Sequence, residues 1–405
     1  MARFDRSILA APVARMSRLV AGFGPQPGAV AAKGGASRID AIDFWRGVAL
    51  VTIFIDHVPR NIFQYATVRN FGFSDAAELF VFLSGASVAL AYGSRFFRGE
   101  TGAAVRAVFR RVFTLYWVQV LISLLIIGLF AAASAYWDDD DLVDDIDRDL
   151  VVSDPVRGVS AMLVLAHQLG NVNILPLYIV LLLTTPALLV LARRSDWLML
   201  AASAALYALA RAFELNLPTW PLDGGWYFDP LAWQFIFAIG VFIGRRARSG
   251  GIGYDRRVFA ACLGLVLASG FAVTDGCGLM PGLHDQALGL LDHGKTELGL
   301  ARLVHFLALA YVIAYSGVTQ LFRWTPLFAP FALMGRFSLP VFATGCVLTA
   351  VGEVIVETRP EDFAYPLTLG AFIVAGGVVI HYLVARLLAA YRASHARPAM
   401  ALAAR

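Results

Sequence analysis

Charged residues are scarce in this chain: they make up 15% of its 405 residues, while hydrophobic residues make up 59%. Few soluble proteins tolerate that ratio. Nucleic-acid binding is not predicted either, because phosphate recognition needs a clustered basic face on a soluble surface. Apolar runs near or above 18 residues recur along the chain, with the charges concentrated between them. This pattern is typical of an all-α polytopic membrane protein.

Cysteine is also rare. The three cysteines, Cys262, Cys277 and Cys346, are scattered and form no metal-binding or redox spacing, so no metal site is expected. The acid-rich insertion at 132–158 lacks the glycine turn and the terminal glutamate of an EF-hand loop, which favours a solvated charge run over a calcium site.

The hydrophobic pattern predicts about ten transmembrane helices. Arginines concentrate in alternate loops and acids in the opposite ones, which predicts an even number of spans with both termini cytoplasmic. We divide the chain into a cytoplasmic N-terminal tail at 1–37, a transmembrane domain at 38–390 and a cytoplasmic C-terminal tail at 391–405, and leave the oligomeric state open. The predicted spans are 43–61, 76–93, 109–131, 173–192, 197–213, 231–244, 258–274, 300–321, 328–350 and 366–388.

The first predicted span carries two residues on one face, Arg46 and His57, whose side chains are energetically unfavourable in hydrocarbon. Their eleven helical steps of about 100° make three turns plus about 20°, and the two side chains stand roughly 16 Å apart along the axis. A cation and a titratable base inside hydrocarbon usually face a bundle interior or a wet cavity. The predicted orientation puts Arg46 near the cytoplasmic surface and His57 near the periplasmic one. This arrangement suits a long anionic ligand that enters from one side and reacts near the other.

Carboxylates near both residues are candidate partners. Asp43 lies one turn before Arg46, at the i,i+3 spacing that would orient a guanidinium. Asp75 and Glu78 share a face at the start of the second span, at the predicted depth of His57. Either could fix the tautomer of the imidazole and raise its basicity. The same two acids also fit the ordinary preference of acids for a helix N-terminus, so both interpretations stay open.

Two further groups of polar side chains are candidate binding residues. The arginines before the third span are explained first by their role in determining membrane topology. They could also bind a nucleotide phosphate, because guanidinium groups bind phosphate bidentately. Tryptophans, amides and cations at the ends of later spans could line a sugar site, with packing and interfacial anchoring as the competing interpretation. The phosphate candidates are Arg106, Arg110 and Arg111, and the sugar-site candidates are Trp226, Asp229, Trp233, Gln234, Arg302, His305 and the mid-span Arg336.

Several strings of the sequence are specific enough to compare with known families. They are RIDAIDFWRG at 38–47, DH at 56–57, NFGFSDAAELFVFLSG at 70–85, LPLY at 175–178, DPLAWQ at 229–234, KTELGLARLVHF at 295–306 and MGRFSLP at 334–340. Together they resemble the OpgC family of inner-membrane proteins, which modify osmoregulated periplasmic glucans, typically by O-succinylation. The spacing of Arg46 and His57 also resembles the wider acyltransferase-three superfamily and the lysosomal heparan-α-glucosaminide N-acetyltransferases.

The resemblance implies acyl transfer from cytoplasmic acyl-CoA, either succinyl-CoA or acetyl-CoA, to hydroxyls of a periplasmic glucan. It also implies location in the bacterial inner membrane, in contact with membrane lipid. Arg46 would hold the donor and His57 would act as general base, with Asp75 or Glu78 stabilising the imidazolium. Neither the acyl group nor the choice between direct transfer and a transient acyl-enzyme follows from these residues.

Three alternatives stay open. A secondary transporter also carries buried charges, although no inverted repeat appears. The chain could instead be a non-catalytic scaffold for glucan synthesis, or it could O-acetylate another polysaccharide of the cell envelope.

Overall fold

The computed structural model describes residues 40–144, 148–247, 251–359 and 366–403. The predicted N-terminal tail at 1–37 lies outside the described residues. The predicted C-terminal tail at 391–405 is described as far as residue 403, where it continues the last helix.

The described part of the chain is helical and contains no β-strand. Its longer helices are α1 (Asp40–His57), α2 (Ala76–Val88), α3 (Thr101–Trp137), α4 (Pro155–Leu163), α5 (Ile174–Arg194), α6 (Asp196–Ala212), α7 (Pro230–Arg246), α8 (Arg256–Val273), α9 (Leu283–Leu290), α10 (Leu300–Tyr315), α11 (Phe328–Arg336), α12 (Ser338–Glu357) and α13 (Pro366–Ala403). Shorter helical segments are Ile62–Ala66, Val68–Asn70, Ala89–Gly93, Ser94–Phe97, Asp141–Asp144, Asp149–Ser153, Gly170–Val172 and Val318–Arg323.

Six helical segments of the described chain are long and apolar enough to cross a membrane: Ala76–Phe97, Thr101–Trp137, Gly170–Arg194, Arg256–Val273, Ser338–Glu357 and Leu367–His395. Helix α10 is a shorter apolar helix. Helices α6 and α7 have 17 residues each, and the 18 residues of α1 include four charges, at Asp40, Asp43, Arg46 and Asp56. The described chain is therefore helical with six candidate membrane spans, and the count of ten stays a prediction.

Two of the predicted spans are broken in the structure. The predicted span 300–321 ends at Tyr315, because Gly317 adopts a left-handed backbone with φ of 77° that stops the helix. The predicted span 328–350 is two helices, α11 and α12, joined at Phe337, whose φ of −107° and ψ of 39° are not helical. Arg336 and Ser338 lie on either side of this second break, and both line one cavity within the bundle.

Glycines let two helix pairs cross closely at the centre of the bundle. Helix α1 packs on α11 and α2 packs on α7. A Cβ at Gly335 would collide with the carbonyl oxygen of Asp43, and a Cβ at Gly47 would collide with that of Phe331. Small residues at such crossings let the backbones approach, as is usual in membrane bundles. The α1–α11 crossing holds Arg46 beside the end of α11.

The acid-rich insertion is partly packed onto the bundle rather than wholly solvated. Arg148 Nη1 lies 2.8 Å from Glu353 Oε1 of α12, and these side chains are only 5% and 10% exposed. The same guanidinium lies 3.6 Å from the ring centroid of Phe130. This docking ties the insertion to α3 and α12.

Candidate active site

The first candidate site is a cavity of about 790 Å³ at the His57 end of α1. Its wall combines charged, aromatic and amide side chains, the mixture that suits a ligand rich in hydroxyl groups. The lining side chains used below are Asp56, His57, Arg69, Asp75, Asn171, Trp226, Lys295 and Phe342.

The backbone of α1 orients the His57 ring. The Nδ1 atom lies 2.6 Å from the carbonyl oxygen of Ile53, one turn earlier. A carbonyl oxygen can only accept a hydrogen bond, so Nδ1 carries a hydrogen, and in the neutral ring Nε2 keeps its lone pair. The imidazole that lines the cavity is therefore in the tautomer that a general base requires.

Asp75 and Glu78 are bound to cations and backbone rather than to His57. The Oδ2 atom of Asp75 accepts hydrogen bonds from Lys295 Nζ at 2.6 Å and from Arg302 Nη2 at 3.0 Å. The Oε1 atom of Glu78 accepts one from Arg302 Nε at 2.7 Å. The two remaining oxygens form a capping box at the start of α2, with Ala77 N donating to Asp75 and Asp75 N donating to Glu78. This differs from the predicted pairing with His57: the partner of Nδ1 is Ile53, and all four carboxylate oxygens are already engaged.

These contacts give the two acids different roles. Burial alone would raise the pKa of Asp75, but Lys295 and Arg302 hold it below its usual value. Asp75 therefore stays ionised at the edge of the cavity. Glu78 is fully buried and positions Arg302, so it does not face a ligand in the cavity.

A second cavity, of about 250 Å³, lies at the Arg46 end of α1. Three guanidinium groups line it, from Arg46, Arg111 and Arg336. Arg46 donates to Asp43 Oδ1 and to the carbonyl oxygen of Gly335, both at 3.4 Å, and also to the Ser87 hydroxyl. Among the lining residues that the structure describes, three carry guanidinium groups and none carries a carboxylate, a composition that suits an anion.

The arginines predicted to bind phosphate and the predicted partner Asp43 are only partly brought together. Asp43 is buried and also lies 3.8 Å from Arg336 Nε, so it orients two guanidinium groups. Arg111 lines the second cavity, while Arg106 and Arg110 are exposed on α3 and do not line it. Arg336, predicted as a sugar-site residue, lies with Arg46 because α11 ends there.

Only Trp226 among the predicted sugar-site residues of 226–234 lines the large cavity. Asp229 caps α7 by accepting from Leu231 N at 2.9 Å, and burial raises its pKa to about 6. Trp233 is fully buried and donates from Nε1 to the carbonyl oxygen of Lys295 at 3.0 Å. Both residues support the cavity wall rather than form it.

The remaining predicted residues join helices to one another. The side-chain nitrogen of Gln234 donates to the carbonyl oxygen of Ser203 at 2.8 Å, which ties α7 to α6. His305 is buried, and its Nδ1 lies 2.7 Å from the Ser74 hydroxyl. Arg302 is engaged by Glu78 and Asp75 as described above. None of these three lines the large cavity.

The sequence predictions missed residues that the fold brings to the cavities. Arg69 lines the large one, and Tyr178 lines the smaller one. Arg69 follows the first span in a short loop, where an arginine has no helical periodicity to reveal its direction. Tyr178 stood within one of the family-like strings, which was a usable signal. Among the described residues, no group of three or more His, Cys, Asp or Glu is placed to hold a metal ion.

Comparison with known protein families gives one match. The model of the OpgC protein family matches residues 38–393, nearly the whole chain. The chain belongs to the OpgC family. OpgC membership confirms the resemblance of the sequence strings and indicates a membrane-associated protein with an acyltransferase-type role in glucan modification. No curated protein matches the chain.

Proposed function

We propose that this OpgC protein transfers an acyl group from cytoplasmic acyl-CoA to hydroxyls of a periplasmic glucan. The observation that carries the proposal is the position of Arg46 and His57 at opposite ends of α1, each in the wall of its own cavity. An anion site at one end and a correctly tautomeric base at the other fit a long charged donor and a neutral hydroxyl acceptor.

The arginine-lined cavity would bind the donor. Arg46, Arg111 and Arg336 supply three planar guanidinium groups, which suit the phosphate groups of coenzyme A. The exposed Arg106 and Arg110 would add positive charge on the approach to that cavity. Donor binding at this end requires it to face the cytoplasm, which agrees with the proposed ten spans and cytoplasmic termini in an inner membrane.

The large cavity would bind the acceptor. Aromatic faces and amide groups recognise sugars, and Trp226 and Asn171 offer both in the same wall as His57. The His57 Nε2 atom would take the proton of a sugar hydroxyl while its oxygen attacks the thioester carbon. The carbon–sulfur bond then breaks, and the leaving thiolate takes that proton from His57. Asp75 and Lys295 form an ion pair in the same wall, so the hydrogen bond from Nδ1 to the carbonyl oxygen of Ile53 is what stabilises the imidazolium.

The acyl group moved is succinyl in this proposal, as is typical of the OpgC family. The test is mass spectrometry of periplasmic glucans from a deletion strain that carries the wild-type gene, His57→Ala or His395→Ala. His395 is exposed near the end of α13, so it is the matched control. We expect succinyl mass increments with the wild type and with His395→Ala, and a loss of about 10²- to 10⁴-fold in transfer rate with His57→Ala.

Two outcomes would overturn the proposal. Unchanged glucan masses in the deletion strain would remove the glucan acceptor, and membranes should then be tested with labelled acyl-CoA against other envelope polysaccharides. Full acylation by a stably expressed His57→Ala variant would remove the base and favour a scaffold.

A further inference from the structure

One aromatic side chain belongs to the walls of both cavities. Phe342 lines the large cavity beside His57 and also the smaller cavity beside Arg46. Its side chain is buried at 5% exposure, and its ring centroid lies 6.1 Å from that of Phe80. Phe80 lines the smaller cavity and packs at 6.2 Å against Tyr178. An apolar layer therefore separates two polar cavities.

The position of Phe342 follows from the broken helix. Helix α12 begins at Ser338, directly after the break at Phe337, and Phe342 is about one turn into it. The same first turn places Ser338 and Leu339 on the wall of the arginine-lined cavity. Phe342, which forms one end of the arginine-lined cavity, therefore belongs to α12, and α12 is not continuous with α11.

We propose that Phe342 closes the passage between the two cavities and that its ring must move to let the acyl arm reach His57. This inference rests on the proposed function, because it is the donor that has to cross. Arg46 and His57 stand about 16 Å apart along α1 at about 1.5 Å per residue. Reacting atoms must approach within about 3–3.5 Å, so a donor held at Arg46 reaches the base only by passing the level of Phe342.

The barrier has a second consequence for the membrane. Two water-accessible cavities joined through a bundle would form a leak, and an apolar ring between polar walls blocks water and ions by dewetting. Phe342 is thus a positioning residue that controls access, and it takes no part in bond making.

Cysteine accessibility tests the barrier without requiring catalysis. The reporter is Ser338→Cys, half-buried in the wall of the arginine-lined cavity, in a chain whose native cysteines are replaced by alanine. A membrane-impermeant anionic methanethiosulfonate, whose charge suits the arginine-lined cavity, is added separately to right-side-out and inside-out vesicles. With Phe342 intact, we expect labelling from the Arg46 side only. With Phe342→Ala, the labelling rate from the His57 side should rise from background to the rate seen from the Arg46 side.

Phe306→Ala is the matched control. Phe306 is as buried as Phe342, at 3% exposure, and lines neither cavity. Loss of its ring should leave labelling one-sided, which separates opening of the passage from general loosening of the core. Retained labelling from the Arg46 side reports that each variant is folded. If Phe342→Ala fails to fold, Phe342→Thr, which removes the ring and puts a polar group in its place, is used instead.

The proposal fails if Ser338→Cys is labelled equally from both sides with Phe342 present, or from neither side. It also fails if the labelling rate from the His57 side rises no more in the Phe342 variants than in Phe306→Ala. Because no step of this assay uses acyl-CoA or glucan, a failed barrier and a failed acyltransferase function give different results. Labelling from both sides with Phe342 present, together with normal glucan acylation, would overturn the barrier and leave the acyltransferase function standing.

Discussion

At the residue scale, partners near in sequence were predictable and partners distant in sequence were not. The spacing of Asp43 and Arg46 predicted their contact, because three residues bring two side chains onto one face of a helix. The direction of His57 toward a cavity likewise follows, because an ionisable side chain is energetically unfavourable in contact with lipid. The cations that engage Asp75 and Glu78 come from residues 295–302, more than 200 positions away. No local pattern reveals such a partner.

The ion pair between Arg302 and Glu78 makes a prediction about stability. Arg302→Ala leaves the carboxylate of Glu78 buried without its guanidinium partner, and breaking a buried pair in this way costs about 3–5 kcal/mol. We expect a clear fall in the thermal unfolding temperature of the detergent-solubilised protein.

The matched control for this prediction is Arg98→Ala. Arg98 pairs with Glu100 at 3.5 Å, but the two side chains are 65% and 51% exposed, and exposed pairs contribute about 0–1 kcal/mol. Equal effects of the two substitutions would show that burial does not decide the value of the pair at Glu78.

At the scale of helices, hydrophobic runs located the spans but not their interruptions. The run at 328–350 is apolar on both sides of Phe337, so periodicity alone predicts one helix where the structure has α11 and α12. The string MGRFSLP at 334–340 contains the clue, since an arginine in mid-span is costly. In the structure the helix breaks at Phe337, and the break places Arg336 on the wall of the arginine-lined cavity.

Gly335 tests whether the close crossing of α1 and α11 supports the Arg46 cavity. A Cβ there would collide with the carbonyl oxygen of Asp43, and overpacking of this kind costs about 1–3 kcal/mol. Gly335→Ala should lower the unfolding temperature and also the acylation of glucan, because α11 carries Arg336.

Gly128→Ala provides the comparison. Gly128 lies within α3, and a Cβ there would meet nothing within 4 Å. Alanine is favoured over glycine in a helix by about 0.5–1 kcal/mol, so this variant should be unchanged or slightly more stable. A Gly335→Ala protein as stable and active as Gly128→Ala would contradict the tight crossing.

The docking of the acid-rich insertion can be measured as a coupling energy. Arg148→Ala, Glu353→Ala and the double variant form a cycle, and residues in direct contact couple by about 0.5–3 kcal/mol. Because both side chains are largely buried, we expect a value in the upper part of that range from chemical unfolding in detergent.

A second cycle on the same helix shows what exposure changes. Arg60 and Glu357 also pair, at 3.7 Å, but are 50% and 42% exposed, so their coupling should be about 0–1 kcal/mol. A larger value for this exposed pair than for Arg148 and Glu353 would contradict the docking of the insertion.

At the scale of the whole molecule, composition predicted the class and the family strings predicted the chemistry. The apolar excess is enough to indicate an all-helical membrane protein. The two cavities, and the ring of Phe342 between them, depend on side chains from α1, α2, α3, α5, α11 and α12 meeting in space. Such a meeting is set by helix crossings, which one sequence does not encode in any local window.

The orientation of the whole chain gives the last prediction. The excess of arginine in alternate loops predicts that both termini lie in the cytoplasm and that the insertion at 132–158 lies on the other side. A fluorescent protein that folds only in the cytoplasm should be bright when fused after Arg405. A phosphatase that is active only in the periplasm should be active when inserted after Asp139 and inactive after Arg405. Phosphatase activity at both sites would give an odd number of spans. No phosphatase activity after Asp139 would reverse α1 and place the arginine-lined cavity away from the cytoplasmic donor that the proposed reaction requires.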